Sequence, residues 1–158
     1  MTFPAAPIWT NVSSIFDGVN SAFVYIWISK KYRLVYVGQT NALRGTLGRA
    51  RNHIGKHGTL RVRFESTVGE ELELADDLIL ASYTLPRQRE YLGLESSYRE
   101  AIEYLVQKGL VEARTGITPT YKLISKVRYT DRASDVLVRD YAREIVDDFK
   151  ANYSRASF

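Results

Sequence analysis

The 158-residue chain contains no cysteine. That absence excludes a disulfide scaffold, a thiolate nucleophile and a cysteine-based zinc site. Histidine is nearly absent too, with only His53 and His57 present, so a multi-histidine metal cage is excluded. No apolar run approaches the roughly 18 residues that a membrane-spanning helix needs. Residues 1–9 carry no basic residue and no apolar core ending in a cleavage site, so the stretch is not expected to act as a secretory leader. The expected setting is therefore cytoplasmic. What is present is ordinary for a globular protein, with 45% hydrophobic, 25% charged and 12% aromatic residues. This composition excludes a disordered tail, a collagen-like fibre and a low-complexity linker, and the length fits one domain spanning 1–158.

The most informative absence is local. From residue 18 to 64 there is no Asp or Glu, while nine basic residues fall there: Lys30, Lys31, Arg33, Arg44, Arg49, Arg51, Lys56, Arg61 and Arg63. Of 22 basic residues, 13 are left to face all 18 acidic residues, so the rest of the chain carries −5. Both histidines lie in the basic window. An acid-free block of this charge suits a polyanion, because Lys and Arg neutralise phosphates and release their counterions. The competing reading is a solvated basic face balanced by the acidic run over 65–77.

Hydropathy patterning gives an α+β reading. Residues 1–20 look like an irregular lead-in containing Pro4 and Pro7. Residues 22–29 (AFVYIWIS) and 33–38 (RLVYVG) read as strands joined by the polar turn Lys30-Lys31-Tyr32, a hairpin. A short helix is expected over 43–54, weakened by Gly45 and Gly48. Alternation predicts strands over 59–66 and 78–85, and a further strand over 121–129. A long helical stretch covers 87–108, with Gly93 as its point of interruption. The chain closes with an amphipathic helix over 131–153, whose apolar face includes Val138, Tyr141, Ile145 and Phe149. The expected fold is a small, central, mostly antiparallel sheet flanked by helices, with a core over 21–108 and a strand-and-helix extension over 109–158.

Two strand tyrosines, Tyr25 in Val24-Tyr25-Ile26 and Tyr36 in Tyr36-Val37-Gly38, stand eleven residues apart across the hairpin. Gln39-Thr40-Asn41 follows, and then a basic helix with Arg49 and His53. This string resembles the GIY-YIG nuclease superfamily over residues 22–53, and more loosely to about 108. VYVGQTN is a close rendering of the second motif. FVYI is a degenerate first motif, with Phe23 where the family has glycine. The resemblance implies a GIY-YIG-like fold and a metal-dependent endonuclease that cleaves DNA phosphodiester bonds with one Mg²⁺ or Mn²⁺ ion. It also implies that Tyr25 and Tyr36 line the site, that Arg49 contacts the scissile phosphate and that His53 assists proton transfer or phosphate contact. Arg44 competes for the arginine role, and Lys30, Lys31, Arg44, Arg51, Lys56, Arg61 and Arg63 are expected to meet DNA.

The carboxylate is argued from the stretch 87–108. Tyr91, Leu94, Tyr98, Ile102 and Leu105 form an apolar stripe at helical spacing, and Glu95 falls inside it. A carboxylate on a packed face is costly without a cation. Glu95 is therefore the expected metal ligand and catalytic carboxylate, also because its setting is similar to that of the family's glutamate. Glu100 is the second candidate; it has a structural reading in the capping box Ser97-x-x-Glu100. Glu100 and Glu103 are expected on the polar side with Arg99 and Gln107. The asparagine the family places beyond that helix has no counterpart, since no asparagine occurs between His53 and Asn152.

Two further readings compete. One is a non-catalytic DNA-binding protein whose residues 97–129 form the end of a winged helix, with 97–108 as recognition helix, 109–111 entering a strand, Gly116 at the wing tip and 121–124 returning. The other is an adaptor whose basic face docks on an acidic protein. The helix over 131–153 is expected either to pack on the sheet or to form a homodimer face.

Overall fold

Period-2 patterning over the tyrosine hairpin produces the centre of the fold. In the computed structural model, which describes residues 21–72, 78–126 and 128–153, β1 (Phe23–Ser29) pairs antiparallel with β2 (Leu34–Thr40). The other edge of β1 pairs antiparallel with β3 (Leu78–Thr84). A two-residue β4 (Lys122–Leu123) joins β2 in parallel, giving the order β3-β1-β2-β4. Helices α1 (Gly45–Ile54), α2 (Thr59–Val68), α3 (Arg89–Leu92), α4 (Ser97–Ala113) and α5 (Val136–Tyr153) surround it. The fold is α+β, with the mostly antiparallel sheet expected from the sequence. The lead-in 1–20 lies outside the described residues.

Every residue of β1 is buried, because helices cover both faces of this central strand. Val24, Ile26 and Ile28 join Val35 and Val37 in a core with Ile102, Val106 and Leu110 of α4 and Val138, Ile145 and Phe149 of α5. The alternate residues Tyr25, Trp27 and Tyr36 point to the other face, where they pack with Ala50 of α1 and Leu60 of α2. The helical apolar spacing of α5 thus serves the core, and its start is capped by Asp135, whose Oδ1 accepts from the amides of Leu137 at 2.9 Å and Val138 at 3.2 Å.

Four sequence expectations are corrected. Residues 59–66 are helical rather than a strand: Leu60 and Phe64, four apart, are the buried pair, Val62 between them is exposed, and Gly69 ends the helix with φ 79°. The stretch 87–108 breaks at Gly93, as expected, stopping at Leu92 and restarting at Ser97, but it does not end at Lys108: it runs on through Gly109 to Ala113. That continuous helix places 109–111 inside α4, so the winged-helix parse of 97–129 does not form. Finally, the strand expected over 121–129 pairs for only two residues. Beyond Val35 its ladder role passes to a side chain, as Ser125 Oγ accepts from the Val37 amide at 2.5 Å and donates to the Val37 carbonyl at 3.0 Å.

The break between α3 and α4 is held firmly. Arg99, buried and without a carboxylate partner among the described residues, donates to the carbonyls of Tyr91 (2.7 Å), Gly93 (2.8 Å) and Glu95 (3.2 Å). Its Nε donates to Gln39 Oε1 at 3.0 Å. Asn41 Nδ2 reaches the Gly93 carbonyl at 3.0 Å from the other side. The end of β2, which leads into α1, is thereby pinned to the start of α4.

Candidate functional site

The two hairpin tyrosines share one sheet face because Tyr25 and Tyr36 differ by an odd offset across an antiparallel register that pairs Tyr25 with Gly38 and Trp27 with Tyr36. Gly38 is required there. A Cβ at this position would stand within 2.6 Å of the Tyr25 Oη, Cζ and Cε2 atoms, so the tyrosine ring lies over the glycine. The glycine of the Tyr36-Val37-Gly38 motif is thus the floor on which Tyr25 rests.

Helix α1 crosses this face and brings Arg49 and His53 one turn apart on one side. Its start is tied to β3 by the Thr46–Ser82 hydroxyl pair at 2.7 Å. His53 is buried, and its Nε2 lies 2.5 Å from Tyr25 Oη in a hydrogen bond. Its ring also packs against Tyr36, with centroids 5.2 Å apart. Burial, reinforced by the charges of Arg49 and Arg63, pulls the His53 pKa down from 6.5 to about 4, so the imidazole is neutral at pH 7. Burial raises both tyrosines above the ordinary phenol value; the Arg49 guanidinium beside Tyr25 and that of Arg63 beside Tyr36 oppose it. Arg49 Nε is buried and has no hydrogen-bond partner among the described residues.

Helix α2 contributes Arg63, whose guanidinium sits 5.7 Å from the centre of the Tyr36 ring. From the far side α4 contributes Glu103, half-buried, close enough to both tyrosines to raise their pKa values. Glu103 itself is pushed up from its ordinary value to about 7, by burial first and then by Glu100, against the opposing pull of Arg128, Arg63 and Arg49. Its Oε1 accepts from Gln107 Nε2 at 3.1 Å. Among the described residues it makes no ion pair.

Tyr25, Tyr36, Arg49 and His53, named from the sequence, are therefore brought together, and Arg63 and Glu103 join them. Glu95 is not. It was expected inside a packed stripe, but it lies exposed in the α3–α4 break, with its carboxylate accepting from Ser97 Oγ at 2.5 Å. Glu100 does not form the capping box with Ser97; its Oε1 accepts from Ser96 Oγ at 2.9 Å. Nor is Glu103 on a solvated side, since Arg99, Glu103 and Gln107 form a polar row on α4 turned inward. The signal that could have found Glu103 is the i, i+4, i+8 spacing of that row. It becomes decisive only once the row is known to face the sheet edge.

The remaining basic candidates divide by what holds them. Arg44, Arg51 and Lys56 are exposed on or beside α1. Lys31, exposed at the hairpin turn, lies 4.8 Å over the Tyr32 ring, and Lys30 beside it is half-buried. Arg61 is engaged within the fold, donating to the Leu72 carbonyl at 2.5 Å and pairing with Glu65 at 3.3 Å. Among the described residues no group of three or more His, Asp or Glu side chains gathers as a metal cage. Glu103 is a single anionic donor beside arginines. That donor set fits a hard cation bound through one carboxylate and substrate phosphate, as Mg²⁺ commonly is. Among the described residues no helix is long and apolar enough to cross a membrane. Comparison of the chain with protein-family models, with curated proteins and with solved structures finds no match.

Proposed function

We propose that this protein is a divalent-metal-dependent endonuclease that hydrolyses DNA phosphodiester bonds in the cytoplasm, with Glu103 rather than Glu95 as the metal-binding carboxylate. The observation that carries this reading is the gathering of Tyr25, Tyr36, Arg49, His53 and Arg63 on one face of the sheet, with Glu103 of α4 within electrostatic reach of both tyrosines. Two tyrosines and a neutral imidazole in contact can orient a water, two arginines can hold a phosphate, and one carboxylate can hold a cation.

The roles follow from the contacts. Arg49, with its buried and unpartnered Nε, is the donor for the scissile phosphate, and Arg63 lies on the Tyr36 side of the same space. One preorganised donor of this kind is worth about 10²–10³ in rate. His53 is neutral and hydrogen-bonded to Tyr25 Oη, so it orients the phenol, which in turn positions the attacking water. The water oxygen bonds to phosphorus as the bridging oxygen leaves, and the proton the water loses balances the one the departing oxygen gains. Glu103 would hold a Mg²⁺ or Mn²⁺ ion, which would supply Lewis-acid polarisation of the phosphate. Arg44, Arg51 and Lys56 extend the cationic surface along α1 and suit a long polyanion better than a mononucleotide.

The test is cleavage of supercoiled plasmid DNA with Mg²⁺ or Mn²⁺, against EDTA and against Glu103→Gln, Glu95→Gln and Arg49→Ala. Metal-dependent nicking that is lost in Glu103→Gln and kept in Glu95→Gln supports the proposal. Loss in Glu95→Gln alone would return the metal to Glu95. Metal-independent binding without cutting by the unaltered chain would leave a DNA-binding protein.

A further inference from the structure

Among the described residues Gln107 is the one carboxamide with no exposed surface at all. It lies one turn past Glu103 on α4. A carboxamide there is costly unless all its polar atoms are satisfied. Only one end is: Nε2 donates to Glu103 Oε1 at 3.1 Å, while Oε1 is buried with no hydrogen-bond partner among the described residues. The arrangement is therefore poor for stability alone. It makes sense as a device for aiming a carboxylate.

We propose that Gln107 is the positioning residue of Glu103. It occupies one carboxylate oxygen so that the other is presented to the cation. This rests on the nuclease reading above for the identity of the ion, but the Gln107 role itself is read from Glu103 alone. Metal ligands are commonly oriented by such partners, and removing one costs 10–100-fold in metal affinity. Gln107 is the carboxamide that reaches the carboxylate.

The experiment needs no DNA. Mn²⁺ is titrated into the full chain while paramagnetic broadening of the His53 ring resonances is followed, in the unaltered protein and in Glu103→Gln, Gln107→Met and Gln107→Glu. Gln107→Met keeps the shape and removes the hydrogen bond; it is expected to raise the Mn²⁺ concentration for half-broadening 10–100-fold. Gln107→Glu supplies a second carboxylate and is expected to lower it, which keeps the test decisive if the Met variant does not fold. Broadening in a folded Gln107→Met protein at the unaltered concentration would overturn the proposal, as would a Gln107→Glu protein that binds Mn²⁺ no better. Loss of broadening in Glu103→Gln is required; its persistence, or none in the unaltered chain, also overturns it. A chain that shows all the expected shifts but does not cleave plasmid would sink the nuclease reading and leave Gln107 in its role.

Discussion

Gly38 shows how much of the site depends on single atoms. Adding one methyl in Gly38→Ala places a carbon 2.4 Å from Tyr25 Oη, so the ring must leave the contact it makes with His53. Overpacking of this kind costs about 1–3 kcal/mol. The expected outcome is a folded but less stable protein whose DNA cleavage falls at least 100-fold, measured by thermal melting and plasmid nicking together. Glu103 carries a second prediction. Its pKa rises from near 4.5 to about 7 on folding, so the folded state favours the protonated acid. Its contribution to stability is full below the unfolded value and is lost as pH climbs toward 7. Glu103→Gln is therefore expected to raise stability by about 1–3 kcal/mol at pH 8 and to leave it unchanged at pH 4, as denaturant melts at both values would show. The pairing of Arg49 with His53 was legible in the sequence, because both sit on one helix and the spacing alone places them together. Glu103 was not. Assigning it needed the phase of α4 relative to the sheet, and the 93–96 break resets that phase, leaving Leu94 fully exposed where a continuous helix would have buried it.

At the scale of elements, the hairpin and its third strand were legible because β-branched and aromatic density there leaves no alternative to a buried central strand. The segment Thr59–Val68 was not, because Leu60, Val62 and Phe64 alternate as a strand would while Leu60 and Phe64 also fit one helical turn. Ten residues carry too little pattern to separate the two periods. The structure decides it, and a pair of substitutions checks it. A strand would bury Val62 beside Phe64, so Val62→Lys would be severe. In the helix Val62 is 52% exposed, and Val62→Lys is expected to change stability by no more than about 0.5 kcal/mol. Phe64, 2% exposed, is expected to cost about 3–5 kcal/mol on truncation to alanine. Phe64 neighbours Arg63 on α2, so the same variant is expected to move Arg63 off the Tyr36 ring. The short β4 was illegible for a different reason: Ser125 finishes the β2 edge with its hydroxyl, and no propensity scale encodes a side chain standing in for a strand.

Across the whole molecule, the acid-free window turns out to serve three ends at once, which its net charge alone does not reveal. Arg49 and Arg63 face inward to the tyrosines, Arg61 is consumed by Leu72 and Glu65, and Arg44, Arg51 and Lys56 stand exposed. If the exposed group meets DNA, each residue releases about one counterion, and log K falls with log salt at roughly 0.9 per contact. The triple variant Arg44→Gln, Arg51→Gln, Lys56→Gln is therefore expected to flatten that slope by about 2–3, with melting temperature unchanged. Arg61→Gln should do the reverse, lowering the melting temperature through its lost carbonyl and carboxylate contacts while leaving the slope intact. Fluorescence anisotropy of a labelled duplex across a salt series, run beside thermal melts, separates the two. A slope untouched by the triple variant would place the polyanion elsewhere and turn the exposed cations of α1 into a solvated face. The difference matters for the proposed reading of the site, because α1 carries both the exposed cations and, on its inner side, Arg49 and His53.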